Sequence, residues 1–292
     1  MQLLAILLSL GLNQSTDVVD RFRKPAWFHV YAAWVREKAL PLGLWNGAVG
    51  VVVLLAPLFA AGVALQWWLA GLPLGLNQLL LGVPALLFAF GTDRTDDHVA
   101  RFVESWSARE MGAAREAAAA LNPGRPLTVE EERLPEFAVR GLFSHVHERL
   151  FGALFWFLIL GPVGALAYRL TALARDFGGC HANAGPGYCD AANGAFWLVS
   201  WIPARLTAAS FAVAGSFSHC IEAWRSAGRR DAEDTNAEVL MFAGLGALGV
   251  EPTASDRDLL GSTLADARAL LHRTRLLWLA VVAFLTLTGW VA

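Results

Sequence analysis

The chain is poor in charge. Of its 292 residues only 16% are Asp, Glu, Lys or Arg, against 56% hydrophobic, and the mean hydropathy is +0.46. Ordinary soluble domains carry about 25% charged residues, so that class is excluded. The formal net charge of −2 supplies no bulk positive field for nucleic acid. Cysteine is almost missing: Cys180, Cys189 and Cys220 make no CxxC pair, and no metal-binding thiolate set follows from them. Also missing are a Walker phosphate loop, a GxGxxG after a strand, a GxSxG elbow and an HExxH helix. Gly244-Leu245-Gly246 is better explained by close helix packing. No metal and no cofactor is expected. Residues 1–12 are apolar, but no basic residue precedes them and no small-residue cleavage site follows, so a cleavable signal is not expected. They are too short to cross a bilayer alone and are expected to pack as a short helix on the rest.

Long apolar runs take the place of charge. The stretch 151–168 holds no charged residue and approaches the roughly 20 residues needed to span a bilayer. Within it lies Gly161-Pro162-Val163-Gly164, and Arg169 ends it. Pro162 lacks the N–H that a helix interior requires and clashes with the turn before it, so a kink or unwound turn is expected at Gly161. The stretch 196–217 carries Pro203 and Arg205 in a similar setting and is expected to be a second interrupted span. Stretches 45–67 and 72–90 read as two further spans, the second kinked at Pro84. Residues 276–291 form a last apolar segment. Twelve tryptophans suit the two aromatic belts of a membrane protein. The expected fold is all-α: a polytopic membrane helical bundle of about four or five membrane helices, two of them interrupted by Gly and Pro.

Polar stretches separate these runs. Basic and aromatic residues interleave over 13–44, the pattern of an interfacial helix whose cations snorkel. The stretch 92–149 shows Val99, Phe102, Val103 and Trp106 at the spacing of an amphipathic helix. An alanine-rich helix follows and ends at Asn122-Pro123-Gly124, and Thr128 with Glu131 forms a capping box for the next. A second polar stretch, 218–275, contains Thr235 with Glu238 as another capping box, a stop at Gly249, and an amphipathic helix over 259–271. Basic residues place both stretches in the cytoplasm. The whole of 1–292 is expected as one membrane domain with helical insertions at 92–149 and 218–275. Counting crossings puts the glycine-rich loop 176–194 outside, where Cys180 and Cys189 would form a disulfide; free cysteines on a reducing side are the alternative.

An arginine left unpaired in an uncharged membrane segment is costly, which makes it a candidate functional residue by default. Arg205, just after Pro203, is therefore a candidate for holding an anionic ligand, the alternative being that it snorkels or pairs structurally with carbonyls freed at the proline; Arg169 is a lesser candidate, since arginines at helix ends commonly snorkel. His145, His147 and Glu148 resemble a metal cluster in linear order, but i and i+2 do not share a helix face. Asn236 lies in a first helical turn, where free N–H groups can meet an anion.

Two of these stretches also carry a resemblance. LFWFLILGPVGALAYRL, 154–170, and WIPARLTA, 201–208, resemble the AmpE/CobD/CbiB family of bacterial inner-membrane proteins, and the likeness extends loosely to 101–121 and 236–249. One branch of that family is adenosylcobinamide-phosphate synthase, which joins an aminopropanol unit to a cobyric acid side chain. The other is AmpE, linked to induction of a chromosomal β-lactamase. Synthases carry an SLAENxxDG-type run where this chain has GLFSHVHER, 141–149, which keeps only Glu148. They carry NTLDSM-like and HPSPNAG-type runs where it has ALARDF, 172–177, and DAEDTNAE, 231–238. The resemblance therefore implies a multi-pass regulator of the AmpE type without catalysis, set in the bilayer, with a small anionic ligand and a protein partner in cell-wall signalling. Its ligand site would draw on Arg205, Arg169, Tyr168, Trp201, Glu148 and Asn236, around the structural residues Gly161, Pro162, Gly164 and Pro203. The alternative is a membrane transferase of the synthase type.

Overall fold

The computed structural model describes residues 2–13, 26–69, 76–91, 95–122, 127–177, 185–227, 235–250 and 257–288. Among them there is no strand, and the fold is all-α. The helices are α1 (Gln2–Asn13), α2 (Ala26–Ala39), α3 (Gly47–Trp68), α4 (Leu76–Phe90), α5 (Thr95–Ser107), α6 (Met111–Leu121), α7 (Leu134–Val146), α8 (Gly152–Leu160), α9 (Pro162–Asp176), α10 (Pro186–Ala214), α11 (Phe217–Ala227), α12 (Thr235–Ala247) and α13 (Arg257–Leu287). Three contain segments long and apolar enough to cross a membrane: Gly47–Trp68, Gly187–Ala214 and Thr263–Leu287. The chain is a helical membrane protein.

It divides into two compact units. One comprises Met1–Asp93, Gly152–Val199 and Ala283–Ala292; the other comprises Arg94–Phe151 and Ser200–Val282. The polar stretches expected as separate insertions thus fall almost wholly within one unit.

In the first unit α1 packs on α4 with Ala5, Ile6 and Ser9 buried, as expected of the short leading helix. Helix α2 buries Phe28, Ala32, Val35 and Ala39, the i, i+4, i+7 stripe of an amphipathic helix, and the Tyr31 hydroxyl donates to the Leu54 carbonyl of α3 at 3.0 Å. Helix α3 has 22 residues, about 33 Å at 1.5 Å each. Helix α4 has 15, about 22 Å, shorter than the span expected at 72–90; residues 70–75 lie outside those described. Pro84 lies inside it.

The expected break at Gly161 is present and goes further than a kink. Gly161 adopts φ +70°, a conformation that glycine reaches at little cost. Helix α9 then starts with Pro162 at its first turn, where the missing N–H is harmless. The two helices lie against one another: Gly152, at the start of α8, leaves no room for a Cβ against the Tyr168 ring, and Gly164 leaves none against the Trp156 carbonyl. In a straight helix Gly152 and Tyr168 would lie about 24 Å apart. The stretch expected as a central span is therefore a hairpin folded at Gly161.

The second expected interruption is absent. Helix α10 runs unbroken through Pro203. A proline at 203 has no N–H for the carbonyl four residues back, which is Val199. The Trp156 indole N–H donates to that carbonyl at 3.0 Å instead, so the helix can continue. Helix α10 also begins at Pro186, inside the region expected as the loop 176–194. Cys189 is fully buried within it; Cys180, its expected disulfide partner, lies outside the described residues. The amphipathic helix and the last apolar segment, expected as separate, are the single 31-residue α13.

In the second unit the two expected helices, α5 and α6, pack as a hairpin, turning at Arg109 with φ 58°. Ala114, Ala117, Ala118 and Leu121 are the buried stripe of α6. Asn122 ends it, donating from Nδ2 to the carbonyls of Ala118 at 3.0 Å and Phe137 at 2.9 Å. The next helix starts later than the Thr128 capping box implies: a 3-10 turn, Glu131–Arg133, precedes α7. Every residue of α12 from Asn236 to Ala247 is buried, as befits a helix without a polar face. Its Gly244 seats the Phe143 ring and its Gly246 lies against Ala223 and Cys220, which is the close packing expected of that glycine pair. The Val250 N–H to Leu245 carbonyl bond, at 3.0 Å, and Gly249 at φ +73° close it as a Schellman stop.

Candidate functional site

The first turn of α12 gathers the polar groups of the second unit. Arg205 reaches it from α10. Its Nη1 donates to the Trp201 carbonyl at 3.0 Å and to Asn236 Oδ1 at 2.5 Å, and the guanidinium carbon lies 4.2 Å from the Trp201 ring centroid. Three residues expected at a ligand site are thus brought together. The grip has a plain sequence origin: Trp201 and Arg205 are i and i+4 on one helix face, and Asn236 is the second residue of α12. All the hydrogen bonds of the Arg205 guanidinium among the described residues run through Nη1, which leaves Nε and Nη2 donors to offer a carboxylate or phosphate.

Two residues further along α12, Glu238 receives a second cation. Arg140 Nη1 lies 3.0 Å from Glu238 Oε1, with side chains 28% and 11% exposed. Glu238 therefore spends its carboxylate on an ion pair rather than serving only as the expected cap. Arg140 is not among the expected site residues. Its position on amphipathic α7 gives no hint of a partner so far along the chain. Among the described residues this turn thus brings together two guanidiniums, one carboxylate and a helix N-terminus.

His147 is 2% exposed and lies in a π-helical turn, His147–Phe151, between α7 and α8; such turns recur at functional sites. Its Nδ1 is 3.1 Å from Thr207 Oγ1. Thr207 gives its only hydroxyl proton to the Pro203 carbonyl at 2.8 Å. With the Thr207 proton so used, the ring is the donor in this contact, through its Nδ1–H. Glu148, expected at the ligand site, is half-buried on the same turn.

Tyr168 and Arg169 belong to the first unit, on α9. Tyr168 is 2% exposed and Arg169 4%, so Arg169 is buried rather than snorkelling from a helix end. Tyr168 packs on Gly152 and on the Phe196 ring at 5.7 Å. Its place is that of a packing residue of the hairpin.

Known proteins share much of this chain. A family model described as CobD/Cbib protein matches residues 3–253. A protein of Chromobacterium violaceum named Cobalamin biosynthesis protein CobD is 30% identical over 243 residues, covering 82% of this chain and 72% of the relative. A protein of the same name from Stutzerimonas stutzeri is 27% identical over 194 residues, 63% of this chain and 64% of the relative. Another from Rhizobium meliloti is 27% identical over 174 residues, 57% and 53%. The chain thus spans less than two thirds of the length of the last two. No solved structure matches it. These relatives overturn the expected β-lactamase-induction regulator of the AmpE type: each bears a cobalamin-biosynthesis name, over most of this chain, whereas that expectation rests on three short runs.

Proposed function

The chain belongs to the CobD/CbiB protein family, and from that premise we propose that it is a multi-pass protein of the bacterial inner membrane acting in cobalamin biosynthesis. The reaction proposed is the one the resemblance implies for the synthase branch, joining an aminopropanol unit to a cobyric acid side chain through an amide. The observation that carries the reading is the 30% identity over 243 residues to a protein named for cobalamin biosynthesis. The site supports it. Arg205 is held by an amide and by an indole face, so little further ordering is needed before its free donors meet an anionic group of a substrate. An arginine fork presents paired donors to a carboxylate or phosphate, which a lysine cannot reproduce.

Complementation tests the proposal. A strain lacking the synthase fails on cobyric acid but grows on cobinamide, which lies past the missing step. Expression of this chain is expected to restore growth on cobyric acid, and Arg205→Lys to lose most of that rescue at equal membrane level. No rescue by the unaltered chain, present in the membrane in normal amount, would refute the reaction.

A further inference from the structure

The α8–α9 hairpin changes how the chain must meet the membrane. From 151 to 168 there is no charged residue, and Ile159 and Leu160 at the fold are 57% and 50% exposed. An uncharged segment with bare aliphatic side chains at its tip belongs in hydrocarbon rather than in water. Its length is wrong for crossing. Helix α8 has nine residues, about 13 Å, against a hydrocarbon core of about 30 Å. The returning arm, from Pro162 back to Tyr168, is shorter still. The turn also pairs part of its backbone within itself, which lipid favours. Gly161 N–H donates to the Phe157 carbonyl at 2.8 Å and Gly164 N–H to the Gly161 carbonyl at 3.0 Å, and Pro162, Val163 and Gly164 are buried.

We propose that residues 152–168 form a re-entrant hairpin, which enters a single leaflet, turns at Gly161 among the acyl chains, and leaves by the face it entered. Its partner is the hydrocarbon of that leaflet. The three small residues are what permit it: Gly161 makes the reversal, and Gly152 and Gly164 let the arms close. The stretch therefore adds no crossing, and the outside placement expected for 176–194, which counts one here, changes side. The inference concerns only sidedness and holds whatever reaction the protein catalyses.

Single cysteines test it in the full chain, with Cys180, Cys189 and Cys220 replaced by alanine. Glu131→Cys precedes the hairpin, Asp190→Cys follows it, and both native residues are exposed. A membrane-impermeant maleimide is applied to intact cells and to inverted vesicles. Both positions are expected to react from the same side, and Leu160→Cys to react with a lipid-soluble maleimide but with the impermeant one from neither side. Reaction of 131 and 190 from opposite sides, or of 160 from water, would overturn the proposal. If the cysteine-free chain does not accumulate, short protease sites inserted at 131 and 190 of the native chain give the same two-sided comparison, read by protease added outside spheroplasts and outside inverted vesicles.

Discussion

Pro203 and Trp156 should be energetically coupled although one lies in a long helix and the other in the hairpin. The Val199 carbonyl has no helical N–H because residue 203 is proline, and the Trp156 indole takes over at 3.0 Å. Trp156→Phe keeps most of the ring but removes the donor, leaving a carbonyl unpaired at a cost of about 1–3 kcal/mol. Pro203→Ala returns the missing N–H to that carbonyl. On top of Pro203→Ala, the same Trp156→Phe change therefore removes only packing and a redundant donor. Packing losses are common to both backgrounds and cancel in the cycle, so the coupling energy reports the hydrogen bond. A value of about 1 kcal/mol is expected, because hydrogen bonds inside membrane proteins average below that of a fully stranded group. In thermal unfolding of the detergent-solubilised protein, 1 kcal/mol corresponds to about 2–4 °C for a chain somewhat shorter than this one. Equal losses from Trp156→Phe with and without Pro203→Ala would refute the reasoning.

Three further outcomes follow from the packing. Glu238→Ala strands the Arg140 guanidinium and is expected to cost about 3 kcal/mol, the lower end for a broken buried pair because Arg140 is 28% exposed; adding Arg140→Met should recover most of it in a denaturant titration. Gly152→Ala drives a Cβ into the Tyr168 ring and is expected to cost about 1–3 kcal/mol as overpacking, relieved by Tyr168→Leu. Burial pushes the Cys220 thiol up to about 11. Its pKa is raised on folding, so the stability it contributes is complete below the unfolded thiol value, near 8.5, and is lost as pH rises through 11. Maleimide reaction of Cys220 in the folded protein is accordingly expected to stay negligible at neutral pH and to rise only in alkali.

The parts of this fold legible in the sequence are those governed by local chemistry. Gly161-Pro162 announces a break because neither residue can sit comfortably inside a helix, and Val99, Phe102, Val103 and Trp106 announce α5 by their period. Gly249 announces a helix end by its access to positive φ. The failures share a different cause. Pro203 carries the same local signal as Pro162, yet α10 continues, because an indole from another helix satisfies the freed carbonyl; no window around Pro203 contains Trp156. At Gly161 the sequence signals a break but not its angle, which is set by the absence of side chains at Gly152 and Gly164. Arg205 stands out as a lone charge in an apolar run, and Asn236 and Trp201 share its expected site. Arg140 carries no such mark, being one charge on an amphipathic helix, and only the fold brings it to Glu238.

The same distinction explains why the expected function and the relatives' names diverge. Of the runs that carry the family resemblance, 154–170 and 201–208, the longer holds packing devices: the Gly161 reversal, the seat at Gly164 and the ring of Tyr168. They specify a scaffold and cannot by themselves separate one branch built on it from another. The departures at 141–149 and 231–238 look like lost chemistry only while polar residues are sought in a fixed spelling. The described residues of both segments hold polar groups from elsewhere in the chain. His147 lies in the first, and the second ends on Asn236 and Glu238, which hold Arg205 and Arg140. A site defined by which side chains meet at one helical turn can keep its electrostatics while its letters change, provided that each buried charge still finds a partner. Replacement of both Arg140 and Glu238 by apolar residues separates the two roles: a scaffold pair leaves rescue on cobyric acid intact at restored stability, whereas a pair that shapes the field at Arg205 does not.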